Sequence, residues 1–333
     1  MHPRFHPRLV NGPFDDPGLY IPFLFENQAI LFDLGDIHAL APKDVLKIGQ
    51  VFVTHAHMDH FIGFDQLLRI SLGREKILHL YGPEKFIEHV EGKLAAYSWN
   101  LVGNYKYRLA LRLTEVHRDG LLTNEYLCQN EFKSTRKVVK HPFNEILFTG
   151  PAFEVSAAIL DHGIPSLGFA IQEKFHININ KDQVDALGLQ TGPWLTEFKR
   201  ALYDAKDPES EFEIRSGNDR VAHFKLGELA QRIAMITPGQ KIAYIADAAY
   251  SQANAEKIIS LTKNSDHLFI EAAFSDAHRD IAEEKHHLTA RQAGELAARA
   301  GARQFTVFHF SPRYLGRESS LYQEAAQAYE SHR

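Results

Sequence analysis

The chain has 333 residues, 44% of them hydrophobic, with a formal net charge of −5 and one cysteine. That length and apolar content suit one large α/β domain or two smaller ones with a substantial core. The net charge argues against a protein that coats nucleic acid nonspecifically, because such binding needs many Lys and Arg side chains, and the lone Cys128 excludes an internal disulfide or a cysteine-rich zinc module. The first residues lack the apolar core of a signal peptide and no later run could span a bilayer, so we expect a soluble cytoplasmic protein without a membrane partner.

The first elements in the chain are two apolar runs, 21–25 and 29–32, separated by three polar residues. This pattern predicts a β-hairpin. An Asp-Leu-Gly-Asp turn that begins at Asp33 follows the second run.

The densest cluster of chemically active residues lies in the next loop, where four potential metal ligands fall within six residues. The apolar residues 51–53 predict the end of a buried strand, and apolar residues at helical spacing follow the cluster. His55 and His57, two apart in extended chain, point the same way and can bind one cation, whereas Asp59 and His60, past the bend, are directed at a second position. Histidines that merely cap a helix would leave polar groups unpaired beside an apolar strand.

The middle of the chain alternates between strand and helix patterns. We predict a strand at 77–81, an amphipathic helix at 84–97 and a meander of strands at 107–117, 121–128, 145–149 and 153–159. The basic run 133–140 either holds RNA phosphates or forms a solvated hairpin tip, which is the interpretation we favour. Packed or surface roles, rather than metal binding, are predicted for His79, His89, His117, His176 and His223.

Isolated candidate residues recur later, each directly after an apolar strand or ahead of a helix. Taken one at a time they are weak evidence, because Asp247 also fits the N-cap of a helix that begins near Ser251, and His287 also fits a surface pair ahead of the helix 290–300. The residues alone support alternating strands and helices with potential ligands at strand ends. These candidates are His162, Asp247, Glu271, His287 and His309.

The order of these motifs resembles that of the metallo-β-lactamase superfamily, whose members carry H-x-H-x-D-H at the end of a strand, and more narrowly that of ribonuclease Z. The matching stretches are His162-Gly163-Ile164-Pro165-Ser166-Leu167-Gly168-Phe169, Gly192-Pro193, Glu271-Ala272-Ala273-Phe274, His287-Leu288-Thr289 and His309-Phe310-Ser311-Pro312-Arg313-Tyr314. The sequence departs from ribonuclease Z at 11–17, where a Gly-Thr-Gly-rich loop is usual, and at His286 and Leu288, where Gly and Ser are usual.

The resemblance implies a fold and an assembly. The fold is an αββα sandwich, in which two mixed sheets pack face to face between helices, as a single domain over 1–333 with an inserted arm at 174–237. In ribonuclease Z such an arm is a tRNA-binding exosite with a Gly-Pro motif, which Gly192 and Pro193 match; the residues themselves predict a short helix there, capped by Asn180. The implied assembly is a homodimer in which one subunit's arm serves the other's site.

The resemblance also implies two metal ions. Zinc is expected, although manganese or iron fits the same nitrogen and oxygen ligands. The turn at Asp33 would support the metal loop from behind, though a plain turn fits the residues as well. The implied ligands are His55, His57 and His162 for one ion, Asp59, His60 and His309 for the other, and Asp247 as a bridge.

The implied activity is an endoribonuclease that removes the 3′ trailer of precursor tRNA by attack of a metal-bridging hydroxide. Asp59 is counted as catalytic as well as metal-binding, and His287, oriented by Glu271, would protonate the departing 3′ oxygen. Arg313 could meet a phosphate or could pair with a nearby acid. The expected substrate contacts are Gly192, Pro193, Thr289, Ser311 and Arg313.

Two other functional classes remain open. A metallo-hydrolase of small phosphodiesters or other esters, not acting on tRNA, is favoured by the altered loop at 11–17 and by the acidic residues of the arm. A non-catalytic binding protein is disfavoured, because a decayed enzyme should have lost at least one ligand and all seven are present.

Overall fold

The computed structural model describes residues 4–24, 26–134, 139–216 and 220–333. These residues form two compact units. The smaller unit comprises Arg4, Phe148–Glu154 and Gln172–Gln240, and the larger unit comprises Phe5–Leu147, Val155–Ile171 and Lys241–Arg333. The single domain with an arm at 174–237 stays a prediction.

The strands of the first sheet lie between residues 8 and 141, and they follow one another across the sheet in chain order from β1 to β8. The central strands β3 to β6 run parallel, and those on either side pair antiparallel. The strands are β1 (Arg8–Leu9), β2 (Leu19–Pro22), β3 (Ala29–Phe32), β4 (Ile48–Phe52), β5 (Lys76–Pro83), β6 (Leu109–His117), β7 (Gly120–Leu127) and β8 (Val139–His141). The helices among them are α1 (Pro42–Val45), α2 (Met58–Phe61), α3 (Phe64–Ser71) and α4 (Phe86–Ala95).

The second sheet begins with β9 (Ile146–Thr149), β10 (Phe153–Asp161) and β11 (Pro165–Glu173). The smaller unit then has two separate two-stranded antiparallel sheets. One pairs β12 (Phe175–Ile179) with β15 (Ala234–Pro238), and the other pairs β13 (Glu211–Ser216) with β14 (Arg220–Lys225). Its helices are α5 (Lys181–Ala186), α6 (Trp194–Tyr203) and α7 (Leu226–Ile233).

The last part of the chain completes the second sheet, whose strand order is β18-β17-β16-β11-β10-β9. The added strands, which run parallel to each other, are β16 (Lys241–Ile245), β17 (His267–Glu271) and β18 (Phe305–Phe308). The helices are α8 (Gln252–Thr262), α9 (Arg279–Glu284), α10 (Ala290–Arg299) and α11 (Glu318–His332).

Alternation along the strands places the core in three layers. On β4, Val51 packs with Phe64 of α3 in one apolar cluster, whereas Phe52 points the opposite way and its ring lies 5.7 Å from that of Phe169 on β11. The ring of Tyr244 on β16 likewise lies 5.8 Å from that of Phe32 on β3. The residues before and after Tyr244 in the strand face α8 and α10. The sheets therefore pack face to face with helices outside, and the predicted αββα sandwich is confirmed.

Each unit holds one of the two tryptophans. In the larger unit, Trp99 packs against the helix-side cluster of the first sheet and donates its indole N–H to the backbone oxygen of Leu94 at 2.8 Å. In the smaller unit, Trp194 is 6% exposed and packs with Phe198 in that unit's own apolar cluster. The smaller unit also confirms the predicted Asn180 cap, which accepts from a backbone N–H of α5.

Most predicted elements are present with shifted ends. β2 and β3 form the expected hairpin, although Phe25 of the predicted run lies outside the described residues. The predicted helix 84–97 is confined to α4. Within the basic run, 135–138 lie outside the described residues, and its last two residues belong to β8, an exposed strand at the end of the first sheet. Among the helices that the structure describes, we find none with the length and apolarity to cross a membrane.

Candidate metal centre

The loop between β4 and α2 carries four of the predicted ligands. His55 and His57 lie in the connection, and Asp59 and His60 lie in the first turn of α2. A Cβ atom at Gly35 would lie 2.4 Å from the backbone oxygen of Asp59, so glycine is needed for the turn after β3 to pack directly behind this loop.

Asp33 is a fully buried carboxylate that holds the loop from within. It accepts hydrogen bonds from the backbone N–H of Thr54 (2.7 Å), the hydroxyl of Tyr244 (2.9 Å) and Nδ1 of His60 (2.9 Å). Because an ionised carboxylate only accepts, Nδ1 of His60 carries the proton of this hydrogen bond, and Nε2 is the ring nitrogen that faces Asp247. Of the two interpretations of Asp33, the structure favours support of the loop over a plain turn.

The first group of potential ligands joins three distant parts of the chain. The ligand atoms of His55, His57, His162 and Asp247 all lie within 4.8 Å of one another. Nε2 of His162 is 3.4 Å from Oδ2 of Asp247, and its Nδ1 donates to the backbone oxygen of His286 at 2.8 Å. Burial lowers the pKa of His55 to about 2, so its imidazole is neutral and can bind a cation.

The second group consists of Asp59, His60 and His309. Nε2 of His309 lies 3.4 Å from Oδ2 of Asp59, while Nε2 of His60 lies 3.4 Å from Oδ2 of Asp247. Burial raises the pKa of Asp59, but the hydrogen bond from His309 and the charges of His60 and His309 together outweigh burial and bring that pKa down to about 2. Asp247 thus lies beside both groups, at the end of β16, and Ser251 rather than Asp247 caps α8.

Several buried atoms at this centre have no hydrogen-bond partner among the described residues. They are Nε2 of His55, Nε2 of His60, Oδ1 of Asp247 and Nδ1 of His309. Oδ1 of Asp247 and Nδ1 of His309 are 2.8 Å apart, but their angles do not meet the geometry of a hydrogen bond. A buried unsatisfied polar group costs about 1–3 kcal/mol. Divalent cations bound to these nitrogens and oxygens would satisfy all of them, so the donor set fits the implied metals.

His287 and Glu271 form a pair at the edge of the centre. Nδ1 of His287 donates to Oε2 of Glu271 at 2.9 Å, and the other carboxylate oxygen accepts from the backbone N–H of Ala248 at 2.7 Å. Burial lowers the pKa of His287, but the charge and hydrogen bond of Glu271, together with the charge of Asp247, outweigh burial and the net shift is upward. The buried Glu271 therefore fixes the ring and leaves Nε2 as its second donor.

The five predicted substrate contacts lie in different settings and stay predictions. Thr289 is fully buried, where its hydroxyl caps α10 and donates to Asp276 at 3.1 Å. Ser311 is partly exposed, and Arg313 is exposed without an ion pair to any described residue. Gly192 and Pro193 precede α6 in the smaller unit. In the described part of the chain, no group of potential metal ligands includes His79, His89, His117, His176 or His223.

Sequence reasoning missed three residues that position the site. Thr54 and Tyr244 hold Asp33, and Asn254 ties the His162 loop to the Asp247 loop by donating to the backbone oxygens of residues 161 and 249, each at 2.8 Å. A tyrosine in an otherwise apolar strand is the available signal for Tyr244, because a buried hydroxyl needs a partner. Nothing in the sequence distinguishes Asn254 from other helix residues.

Solved structures show the fold. The metallo-beta-lactamase fold protein YhfI from Bacillus subtilis superposes with a TM-score of 0.55 at 15% identity, covering 98% of this chain and 94% of that one. Human tRNase Z, short form, gives a TM-score of 0.52 at 19% identity and covers 93% of both chains. The protein therefore has the metallo-β-lactamase fold.

Sequence relatives show the family, although no family model matches the chain. Ribonuclease Z of Anoxybacillus flavithermus is 30% identical over 293 residues, 86% of this chain and 78% of the relative. Ribonuclease Z of Deinococcus radiodurans is 29% identical over 302 residues, 90% of this chain and 87% of the relative. The chain belongs to the ribonuclease Z family.

Proposed function

We propose that the protein is a metal-dependent endoribonuclease that removes the 3′ trailer of precursor tRNA. The observation that carries the proposal is the convergence of the seven sequence-predicted ligands, including four buried atoms without another partner among the described residues. The names of the relatives and of a structural neighbour, ribonuclease Z and tRNase Z, supply the substrate class.

Zinc is the cation we propose, because imidazole nitrogens and carboxylate oxygens suit it, with manganese and iron as the alternatives. When bound, two such cations would supply Lewis acidity that lowers the pKa of a water and neutralises charge on the phosphodiester. His55, His57 and His162 would hold one cation, Asp59, His60 and His309 the other, and Asp247 both.

His287 would provide the proton for the leaving group. As the water oxygen bonds to phosphorus, the P–O3′ bond breaks, the trailer keeps the phosphate and the tRNA ends in a 3′ hydroxyl. Glu271 accepts from Nδ1 of His287, so Nε2 is the donor to the departing oxygen. Asp59 would take part in catalysis by holding one of the cations.

The test is a cleavage assay on a precursor tRNA with a 3′ trailer, using metal-stripped and zinc-reconstituted protein. We expect the reconstituted protein to release tRNA with a 3′ hydroxyl and the stripped protein to leave the RNA intact. Intact RNA beside chelator-sensitive hydrolysis of bis(p-nitrophenyl) phosphate would favour the small-diester hydrolase instead. Equal diester hydrolysis with and without chelator would remove the metal mechanism.

From the resemblance to ribonuclease Z we also propose a homodimer and a cytoplasmic location. Light scattering on the purified protein tests the first, and cell fractionation tests the second. A monomer at micromolar concentration would contradict the proposed assembly.

A further inference from the structure

The segment 11–17, which we call the N-terminal loop, contacts the residue that follows His309. The backbone N–H of Phe310 donates to the backbone oxygen of Pro13 at 2.6 Å. The ring of Phe14 meets that of Phe310 edge to face, with 5.6 Å between centroids. Phe310 is 2% exposed, so its position is fixed by these contacts and by the surrounding apolar cluster.

The other end of the N-terminal loop is joined to the turn after β3. Nδ2 of Asn11 donates to the backbone oxygens of Asp16 (2.9 Å) and Asp36 (2.7 Å). The backbone N–H of Asp36 donates in return to the carboxylate of Asp16 at 3.1 Å, and that of Gly35 donates to the backbone oxygen of Pro17 at 3.2 Å.

The turn after β3 is in turn packed against Asp59. A Cβ atom at Gly35 would lie 2.4 Å from the backbone oxygen of Asp59 and 2.7 Å from both Cβ of Asp16 and the backbone oxygen of Pro17. The N-terminal loop, this turn and the start of α2 therefore leave no room for a methyl group. A shift of the N-terminal loop would be transmitted through this turn to Asp59, because close-packed interiors transmit strain.

Asp59 and His309 are the two ligands of the second group that these contacts reach. The side chain of Asp59 is 43% exposed, and His309 has a left-handed backbone with φ 62, a conformation that persists only when its surroundings hold it. His60, the third member, is fully buried and held by Asp33. Between the N-terminal loop and His55, His57 or His162, the described residues show no hydrogen bond.

We infer that the N-terminal loop sets the spacing between Asp59 and His309 and strengthens the binding of the second cation, whereas the first cation binds without its help. Asn11 and Phe14 are positioning residues, acting through Asp36 and Phe310. The inference rests on the proposed dinuclear site, and it assigns a purpose to the stretch that departs from the usual ribonuclease Z loop.

Bound zinc per chain tests the inference directly. The first variant is Phe14→Leu, which removes the ring contact. The second is Asn11→Asp, which keeps the shape of the side chain but replaces the donating amide with a carboxylate oxygen that cannot donate to the two backbone oxygens. The matched control is Phe305→Leu, at the opposite end of β18, where Phe305 pairs with Tyr329 at 4.9 Å. Each protein is titrated with zinc against a chromophoric chelator, and circular dichroism records the fold.

We expect two zinc ions in the wild type and in Phe305→Leu. In Phe14→Leu and Asn11→Asp the second ion should bind about 10–100-fold more weakly, with the first unchanged, which is the usual range for loss of a residue that orients metal ligands. Two ions at wild-type affinity in both variants would overturn this inference alone. A wild type that binds no zinc would overturn the inference together with the proposed function. Asn11→Asp keeps the test informative if Phe14→Leu does not fold.

Discussion

Asp33 shows how a single buried carboxylate can orient an imidazole. It accepts from both the N–H and the hydroxyl of Thr54, from His60 and from Tyr244. Burying an ionised carboxylate is costly unless hydrogen bonds satisfy it, and here each donor also fixes a neighbouring residue. The free Nε2 of His60 is a consequence of this arrangement.

We therefore expect Asp33→Asn to weaken zinc binding about 10–100-fold, because the neutral amide no longer provides a charged acceptor for His60. Competition titration against a chromophoric chelator measures the change. Asp119→Asn, which alters an exposed carboxylate paired with Lys140, is the control and should bind zinc as the wild type does. Unchanged affinity in Asp33→Asn would contradict the role of this carboxylate.

Glu271→Gln should lower kcat on precursor tRNA about 100-fold with little effect on bound zinc. The amide can still accept from Ala248, but it no longer provides a charged acceptor for His287, and general acid–base groups contribute about 10²–10⁴-fold. Single-turnover cleavage and metal content give the two readouts. Glu115→Gln, which alters the Glu115–His117 pair on β6 at 2.7 Å, is the matched control. Loss of zinc in Glu271→Gln would assign this residue to the metal centre instead.

Sequence reasoning reaches the ligands better than their supports. His55, His57, Asp59 and His60 stand out because their spacing and the preceding strand select one chemistry. The supports are not accessible in this way, since Tyr244 binds a residue 211 positions away. Such a partner is decided by how the two sheets pack.

Among the elements, α10 begins just after His287, the proposed proton donor. Thr289 begins this helix with a capping box, in which its hydroxyl accepts from the backbone of Gln292 and the Gln292 side chain accepts from the backbone of Thr289. Its hydroxyl also donates to Asp276, in the segment that follows β17. The loop that carries His287 is thus anchored just before the helix starts.

Thr289→Val should lower the free energy of unfolding by about 1–2 kcal/mol, because the hydroxyl of an N-cap contributes that much and no other group replaces it. Urea unfolding followed by circular dichroism measures the loss. Thr289→Ser retains the hydroxyl and should lose much less. Equal stability of the valine variant and the wild type would show that the cap contributes nothing.

Element ends were harder to predict than element types. The helical pattern after the metal loop does not form one continuous helix, because α2 and α3 are separated at Gly63. The backbone N–H of Gly63 donates to the oxygen of Leu34 at 2.9 Å, and a Cβ there would lie 2.2 Å from the oxygen of Gly35. Contact with a distant turn, absent from any local pattern, decides the break.

In the molecule as a whole, the potential ligands come from both sheets. The loop after β4 belongs to the first sheet, whereas His162, Asp247 and His309 follow β10, β16 and β18 of the second. Cations bound at this centre would therefore link the two sheets in the folded state only. The order of motifs made the sandwich predictable, but the pairing of inner aromatic rings depends on tertiary packing.

Zinc should accordingly raise the stability of the protein. A ligand that binds only the folded state adds about 2.7 kcal/mol at a free concentration of 100 Kd, so the Tm of zinc-loaded protein should exceed that of stripped protein by several degrees. Differential scanning calorimetry at several free zinc concentrations checks this expectation. A Tm independent of zinc would contradict binding at buried ligands.

Excision of residues 176–237 should separate the two proposed activities. Phe175 and Pro238 are Cα partners in an antiparallel pair, so their Cα atoms lie about 5 Å apart and a short glycine turn can join them. If this segment is the RNA-binding arm, the shortened protein should retain chelator-sensitive hydrolysis of bis(p-nitrophenyl) phosphate and lose cleavage of precursor tRNA. Undiminished tRNA cleavage would show that the segment is dispensable for the substrate.

The placement of Trp99 in the larger unit and Trp194 in the smaller one gives each unit its own intrinsic fluorophore. Replacing either indole by phenylalanine leaves a single emitter whose spectrum follows one unit during denaturation. Coincident transitions for the two single-tryptophan proteins would mean that the units melt cooperatively. Distinct midpoints would give each unit a separate unfolding free energy.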